Sequence, residues 1–184
     1  MGGAGLRGED QFLQAAQSME DESMEEMLVS GVTADKNTAR IQLKGIKETT
    51  KEMYHIFRKL SEQHIGSDSV LLSPNNSDHT NDISFTIPRD RLKEAVKALT
   101  GYSKEKGDTS IKINIEDNIA KVSAVGAGMM SNPAIALRMF EALYQENITI
   151  EMIYASELRI TVLVREEDTI KAIQAIHRKL IECQ

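Results

Sequence analysis

The 184-residue sequence predicts an α+β protein built from two copies of one βαββα unit. Three observations predict it. Short stretches alternate apolar and polar residues with the period of a half-buried strand. Longer stretches between them carry apolar residues at helical spacing. The same order of these patterns then occurs twice, which is the mark of a repeated structural unit. The sheets are expected to be antiparallel, because "ITIEMIYA" and "LRITVLV" are separated only by Ser156 and Glu157. So short a link makes a hairpin and cannot join parallel strands.

The elements follow in order. Residues 1–26 form an acidic, Gly-rich lead-in with a short helix expected at Gln11–Met19. "LVSGVTA" reads as a strand, and "DKN" turns the chain into "ARIQLKG", a second strand with Ile41 and Leu43 on one face. "TTKEMYHIFRKLSEQH" spaces Met53, Ile56, Phe57 and Leu60 as a helix. "SDSVLLS" is a strand, "PNNSDHTND" a loop, and "ISFTI" a strand with Ile83, Phe85 and Ile87 inward. Asp90 is expected to cap a helix carrying Leu92, Ala95, Val96 and Leu99 on one stripe, before a polar break at "YSKEKGDT". "SIKINIE" and "AKVSAVG" are strands. A helix follows with Ile135, Ala136, Met139, Phe140 and Leu143 buried, then the two hairpin strands, then a helix with Ile170, Ile173, Ile176 and Leu180 in line. Ala39-Arg40-Ile41 matches Ala120-Lys121-Val122, Phe57 and Leu60 match Phe140 and Leu143, and Ala95-Val96 matches Ala172-Ile173.

One loop, "VGAGMMSNPAIAL" from Val125, looks like the start of a dinucleotide fold. The fingerprint wants a third glycine where Ser131 stands and a parallel strand after the helix, and neither is present. Nucleotide binding is therefore not expected. Gly126 and Gly128 permit close approach and positive φ, Asn132 can cap the helix, and Pro133 suits its first turn. Such a terminus can hold a small carboxylate, or the glycines can simply turn the chain.

Composition narrows the function. The net charge is −6, and basic residues are dispersed, so no nucleic-acid partner is expected. No apolar run approaches the roughly 18 residues of a membrane span, so no membrane partner is expected. A single cysteine, Cys183, excludes an internal disulfide and suits a reducing cytoplasm. His55, His64, His79 and His177 are scattered and read as surface residues rather than metal ligands. No Walker loop and no Ser/His/Asp or metal cluster is present, so no cofactor is expected.

"VSGVTADKNTARIQLKGI" and "AKVSAVGAGMMSNPAIALRMFEALYQENITIEMIYASELRITVLV" together resemble the C-terminal regulatory region of bacterial aspartate kinases, or its separately made β subunit. The resemblance runs over about residues 24–182. It implies tandem ACT domains, each a ferredoxin-like βαββαβ unit with a four-stranded antiparallel sheet and two helices on one face. It implies that the first domain, residues 38–116, is inserted into the second, residues 27–37 plus 117–184. The strand "LVSGVTA" then becomes the missing edge strand of the second domain. It implies a regulatory rather than catalytic part, binding an end-product amino acid and controlling a catalytic chain or domain that phosphorylates aspartate on the way to lysine, threonine and methionine. Edge strands in open sheets invite pairing, so a homodimer through these domains is expected. A ligand-free assembly subunit and a small stand-alone enzyme of the same fold are the rival readings.

By position, the resemblance places effector contacts in the first domain at Lys47, Glu48, Thr49, Thr50, Ser67, Asp68 and Leu72. In the second it places them at Met129, Ser131, Asn132, Pro133, Ala134, Ile135, Ile148 and Thr149. Where threonine-sensitive members carry an Asp-x-Pro-Gly turn, this chain has "KETT". A frequent Asn is Gly66 or Thr149, a frequent Gln is Leu72, and Pro-Gly is Pro133-Ala134. "KETTKEMYHIF" is similar to lysine-regulated members. Asp68 offers a carboxylate to a cationic amine, so L-lysine is expected ahead of L-threonine.

Overall fold

The computed structural model describes residues 29–75, 80–106, 111–127, 129 and 132–182. The expected lead-in and its helix at Gln11–Met19, together with His79, Gly128, Ser131 and Cys183, lie outside the described residues. The remainder forms two four-stranded antiparallel sheets and four helices, as the patterning predicts. Strands are β1 (Val29–Asp35), β2 (Ala39–Ile46), β3 (Ser69–Asn75), β4 (Thr80–Ile87), β5 (Lys112–Glu116), β6 (Ile119–Gly126), β7 (Met152–Ser156) and β8 (Arg159–Arg165). Helices are α1 (Thr49–Glu62), α2 (Leu92–Lys106), α3 (Pro133–Gln145) and α4 (Thr169–His177). One sheet runs β3-β4-β2-β5 and the other β1-β6-β8-β7. β1 lies antiparallel to β6, with Val32 opposite Ala124 and Asp35 opposite Lys121. A strand from before the first unit thus edges the second sheet.

Each sheet buries one face under two helices. In the first unit Ile41, Leu43, Ile83, Phe85 and Ile87 meet Ile56, Leu60, Ala95 and Leu99. The Phe57 and Phe85 rings lie 5.3 Å apart between centroids. In the second unit Val122, Ala124, Ile160, Val162 and Val164 meet Ile135, Met139, Leu143, Ala172, Ala175 and Ile176. The two helices that follow the first strand of each unit also end alike. His64 and Asn147 adopt positive φ of 53° and 55°. The N–H of Ile65 then bonds Leu60 O at 3.0 Å, and that of Ile148 bonds Leu143 O at 2.9 Å. Both ends are left-handed caps followed by a buried isoleucine, the repeat expressed as backbone geometry.

Several expectations are corrected. Asp90 does not cap α2. It sits inside a 3-10 turn, Arg89–Arg91, that follows Pro88, and its N–H bonds Asn37 Oδ1. The polar break after residue 101 is helical to Lys106, because Tyr102 to Lys106 include no helix-breaking Gly or Pro. The loop at Pro74 is shorter than read: Pro74 pairs with Asn81 and Asn75 with Thr80. Proline is tolerated there because β3 is an edge strand. Phe140 stands 37% exposed and Ile170 64%. The buried stripe of α3 runs through Ile135, Met139, Ala142 and Leu143, and that of α4 through Ala172, Ala175 and Ile176. Glu151 lies just before β7, outside it.

Candidate functional site

At the start of α1, Glu48 occupies the capping position but makes no capping bond, and its carboxylate pairs with Lys51 at 2.7 Å. Thr49 Oγ1 accepts from Asn81 Nδ2 at 2.7 Å. Lys47 and Thr50 are exposed. One turn in, Glu52 is buried, with Tyr102 Oη donating to its carboxylate at 2.7 Å. The residue reading missed it. Its spacing of four to Ile56 and eight to Leu60 places it on the buried stripe, a signal that could have found it.

At the start of α3, Asn132 Oδ1 accepts from the Ala134 N–H at 3.0 Å, and Pro133 fills the first helical position. The preceding loop is fastened to the β7–β8 turn. Gly126 N–H bonds Leu158 O at 3.0 Å, and Met129 N–H bonds Glu157 O at 3.1 Å. Gly126 itself is extended, as the last residue of β6. The N–H groups of Gly126 and Met129 are therefore spent on the turn. Met129 and Ile135 are buried as core plugs, and Ile148 is the buried residue of the cap; Thr149 is exposed. Ser131 lies outside the described residues.

Strand register separates the predicted contacts into two groups in each unit. Ile46 pairs with Asn81, and Asn81 with Pro74, so Lys47–Thr50 lie at the Pro74 end of the first sheet. Ser69 pairs with Thr86, so Ser67 and Asp68 lie at the other end, with Leu72 between. Seven strand residues at about 3.3 Å each make that roughly 20 Å. In the second unit α3 separates Asn132 from Ile148 and Thr149 by a similar length, 13 residues at about 1.5 Å. Among the described residues of one chain, each set is thus split between two ends of its unit.

The structure instead joins Asp68 to the seam between the units. Lys121, on β6, places Nζ on Asp68 Oδ2, while Thr86 Oγ1 donates to Asp68 Oδ1. Ser69 Oγ lies 2.7 Å from Thr86 Oγ1; since Thr86 gives its proton to a carboxylate, Ser69 is the donor in that pair. Burial pushes the Asp68 carboxyl up, but the hydrogen bonds from Lys121 and Thr86 outweigh it and hold the group below its ordinary range. Tyr154 is pushed up, first by burial and then by the charge of Asp68. Asp68 opens into a cleft of about 310 Å³ shared with Asp35, Asn37, Ser67, Pro88 and Lys121. That is near the lower end of small-ligand pockets, about 300–1,000 Å³.

Two arginines complete the seam. Arg40 reaches Glu151 O at 2.8 Å and Glu116 at 2.6 Å. Arg89 reaches Glu166 at 2.8 Å and Ile119 O at 2.9 Å. The only apolar cluster outside the two cores, among the described residues, is small: Ile119, Met152 and Leu163, with Tyr154 against it. The contacts between the units are thus mainly polar.

Comparison with known proteins agrees with this architecture. An ACT domain model matches residues 122–180. The ligand-free regulatory subunit of aspartate kinase from Thermus thermophilus is 32% identical, with a TM-score of 0.75, covering 83% of this chain and 98% of that one. A structure of aspartokinase alpha and beta subunits is 33% identical, with a TM-score of 0.72, covering 82% of this chain and 97% of that one. Aspartokinase of Corynebacterium efficiens is 39% identical over 165 residues, covering 89% of this chain. The chain spans only 39% of the length of that relative. With nearly all of a regulatory subunit matched in sequence and fold, the chain belongs to the family of aspartate kinase regulatory subunits.

Proposed function

We propose that this chain is the amino-acid-binding, feedback-regulatory part of an aspartate kinase, with L-lysine preferred to L-threonine and no catalysis of its own. Asp68 carries the reading. A half-exposed carboxylate opens into a cleft between the units and already accepts a primary ammonium, that of Lys121. A site that suits one lysine ammonium suits another by the same charge-assisted bonds. Ligand at this seam favours one relative arrangement of the units, and that differential affinity biases a catalytic chain or domain. A solved relative containing both alpha and beta subunits supports such a partner. The division into residues 38–116 and 27–37 plus 117–184 accords with the two sheets, and a cytoplasmic location suits the pathway enzyme.

The exposed edge of β3 supports a homodimer. Val70, Leu71 and Leu72 are each nearly half exposed there. Antiparallel pairing of β3 with its copy would carry the partner's Ser67–Asp68 end to this chain's Pro74 end, where Lys47–Thr50 lie. A dimer would thereby bring to one end of a combined sheet the two groups that one chain keeps apart.

Thermal shift with lysine, threonine and methionine tests the function. A ligand at 100 times its Kd stabilises by about 2.7 kcal/mol. Lysine alone, or lysine most strongly, should shift the transition. Threonine without lysine overturns the preference, and silence from all three returns the chain to a ligand-free assembly role. Light scattering should show a dimer that Leu72→Lys dissociates.

A further inference from the structure

The ion pair that defines the cleft is also in the way of a ligand. Lys121 is mostly covered, with 12% of its side chain exposed, whereas Asp68 keeps 51% open to solvent. The two residues belong to different units, so their bond ties the entry to β3 of one sheet to β6 of the other. Asp35 stands directly opposite Lys121 in the β1–β6 register and lines the same cleft. Lys121 therefore has a second carboxylate within its own sheet, and leaving Asp68 would not orphan its charge.

We propose that Lys121 is a built-in competitor for a ligand ammonium at Asp68, so that a cationic amino acid binds by displacing Lys121 towards Asp35 and releasing one tie between the units. This rests on the effector reading above and adds its regulation: the residue that sets the affinity also reports occupancy to the other unit. Three physical facts support it. Asp68 has one oxygen taken by Thr86, so Oδ2, which Lys121 already holds, is the freer oxygen for a ligand ammonium and the one over which the two compete. The pair is open to solvent on its Asp68 side, which screens it and gives an incoming ammonium access to the carboxylate. The crossings between the units are short, residues 36–38 and 117–118, so loss of a tie changes their freedom directly.

The test uses Lys121→Met and Lys121→Gln, each keeping part of the stem without the charge, beside Asp68→Asn. Calorimetry measures lysine and threonine affinity, and amide hydrogen exchange is followed at residues 36–38 and 117–118 with and without lysine. Removing the competitor should tighten lysine binding about two- to five-fold, the equivalent of one exposed ion pair. Threonine affinity should not move, and Asp68→Asn should abolish lysine binding. Exchange at the crossings should quicken in both Lys121 variants without ligand, and in the wild-type chain only on adding lysine. If wild-type protein binds lysine and neither Lys121 variant gains affinity, the competitor is refuted while the effector reading stands. If neither wild type nor variants bind lysine, both fall. Binding that emerges only in the variants supports the competitor in its strongest form.

Discussion

Arg89 offers a direct measure of what holds the two units together. It follows β4 and reaches across both chain crossings. Nη1 meets Glu166 Oε2 at 2.8 Å, Nη2 donates to Ile119 O at 2.9 Å, and Nε approaches Thr38 O at 3.4 Å. The last contact is long and contributes little. Both partners of the ion pair are about 30% exposed, so it counts as a screened surface pair of about 0–1 kcal/mol. The bond to the Ile119 carbonyl is charge-assisted, about 1.5–3 kcal/mol before discounting for solvent. Arg89→Met keeps the aliphatic stem and removes all three contacts. The expected loss is about 2 kcal/mol, or a fall in Tm of about 4–8 °C for a chain of this size. Urea unfolding should show the same loss in midpoint with unchanged slope. A double-mutant cycle with Glu166→Gln should return a coupling of about 0.2–1 kcal/mol. A loss under about 0.5 kcal/mol for Arg89→Met would refute the view that polar clamps fix the relative orientation of the units.

Three further outcomes are expected. Asn132→Ala removes the bond to the Ala134 N–H and should cost about 1 kcal/mol in urea unfolding, whereas Asn132→Asp, which still caps, should cost little. Phe85→Ala, at a fully buried position against Phe57, should cost about 3–5 kcal/mol and threaten the first unit before the second. The seam should also sense pH at both extremes. Asp68 is held below its ordinary range, so its contribution is present above about pH 4 and fades as pH falls through the lower folded value. Tyr154 is held above its ordinary range, so its contribution is present below about pH 10 and fades as pH rises. Asp68→Asn should flatten the acid arm of a stability profile and Tyr154→Phe the alkaline arm.

Much of the fold was legible because periodicity is local. Alternation at Ile83, Phe85 and Ile87, helical spacing at Ile56 and Leu60, and a two-residue hairpin, expected at Ser156-Glu157 and formed one residue later at Glu157-Leu158, each depend on neighbours along the chain. Matching the two copies then predicted two antiparallel sheets. Boundaries fared worse where polar residues continue an element, as in α2 beyond Gly101 and β3 through Asn75. A helix has two faces, and periodicity alone did not decide that Phe140 and Ile170 point outward while Ala142 and Ala175 point in. The candidate site was legible only in part. The Asn132 cap was read from the residues and forms as read, whereas Asp68 was reached only by position through the resemblance. The amino acids alone could not place Lys121 on Asp68, 53 residues away, or bring Arg40 to Glu151, 111 residues away. Nor could they show that strand register keeps Lys47–Thr50 and Asp68 at opposite ends of one sheet. Those facts depend on how two separately folded sheets meet. The meeting is governed by long-range register and a few charge pairs, which leave no repeating trace in the order of residues.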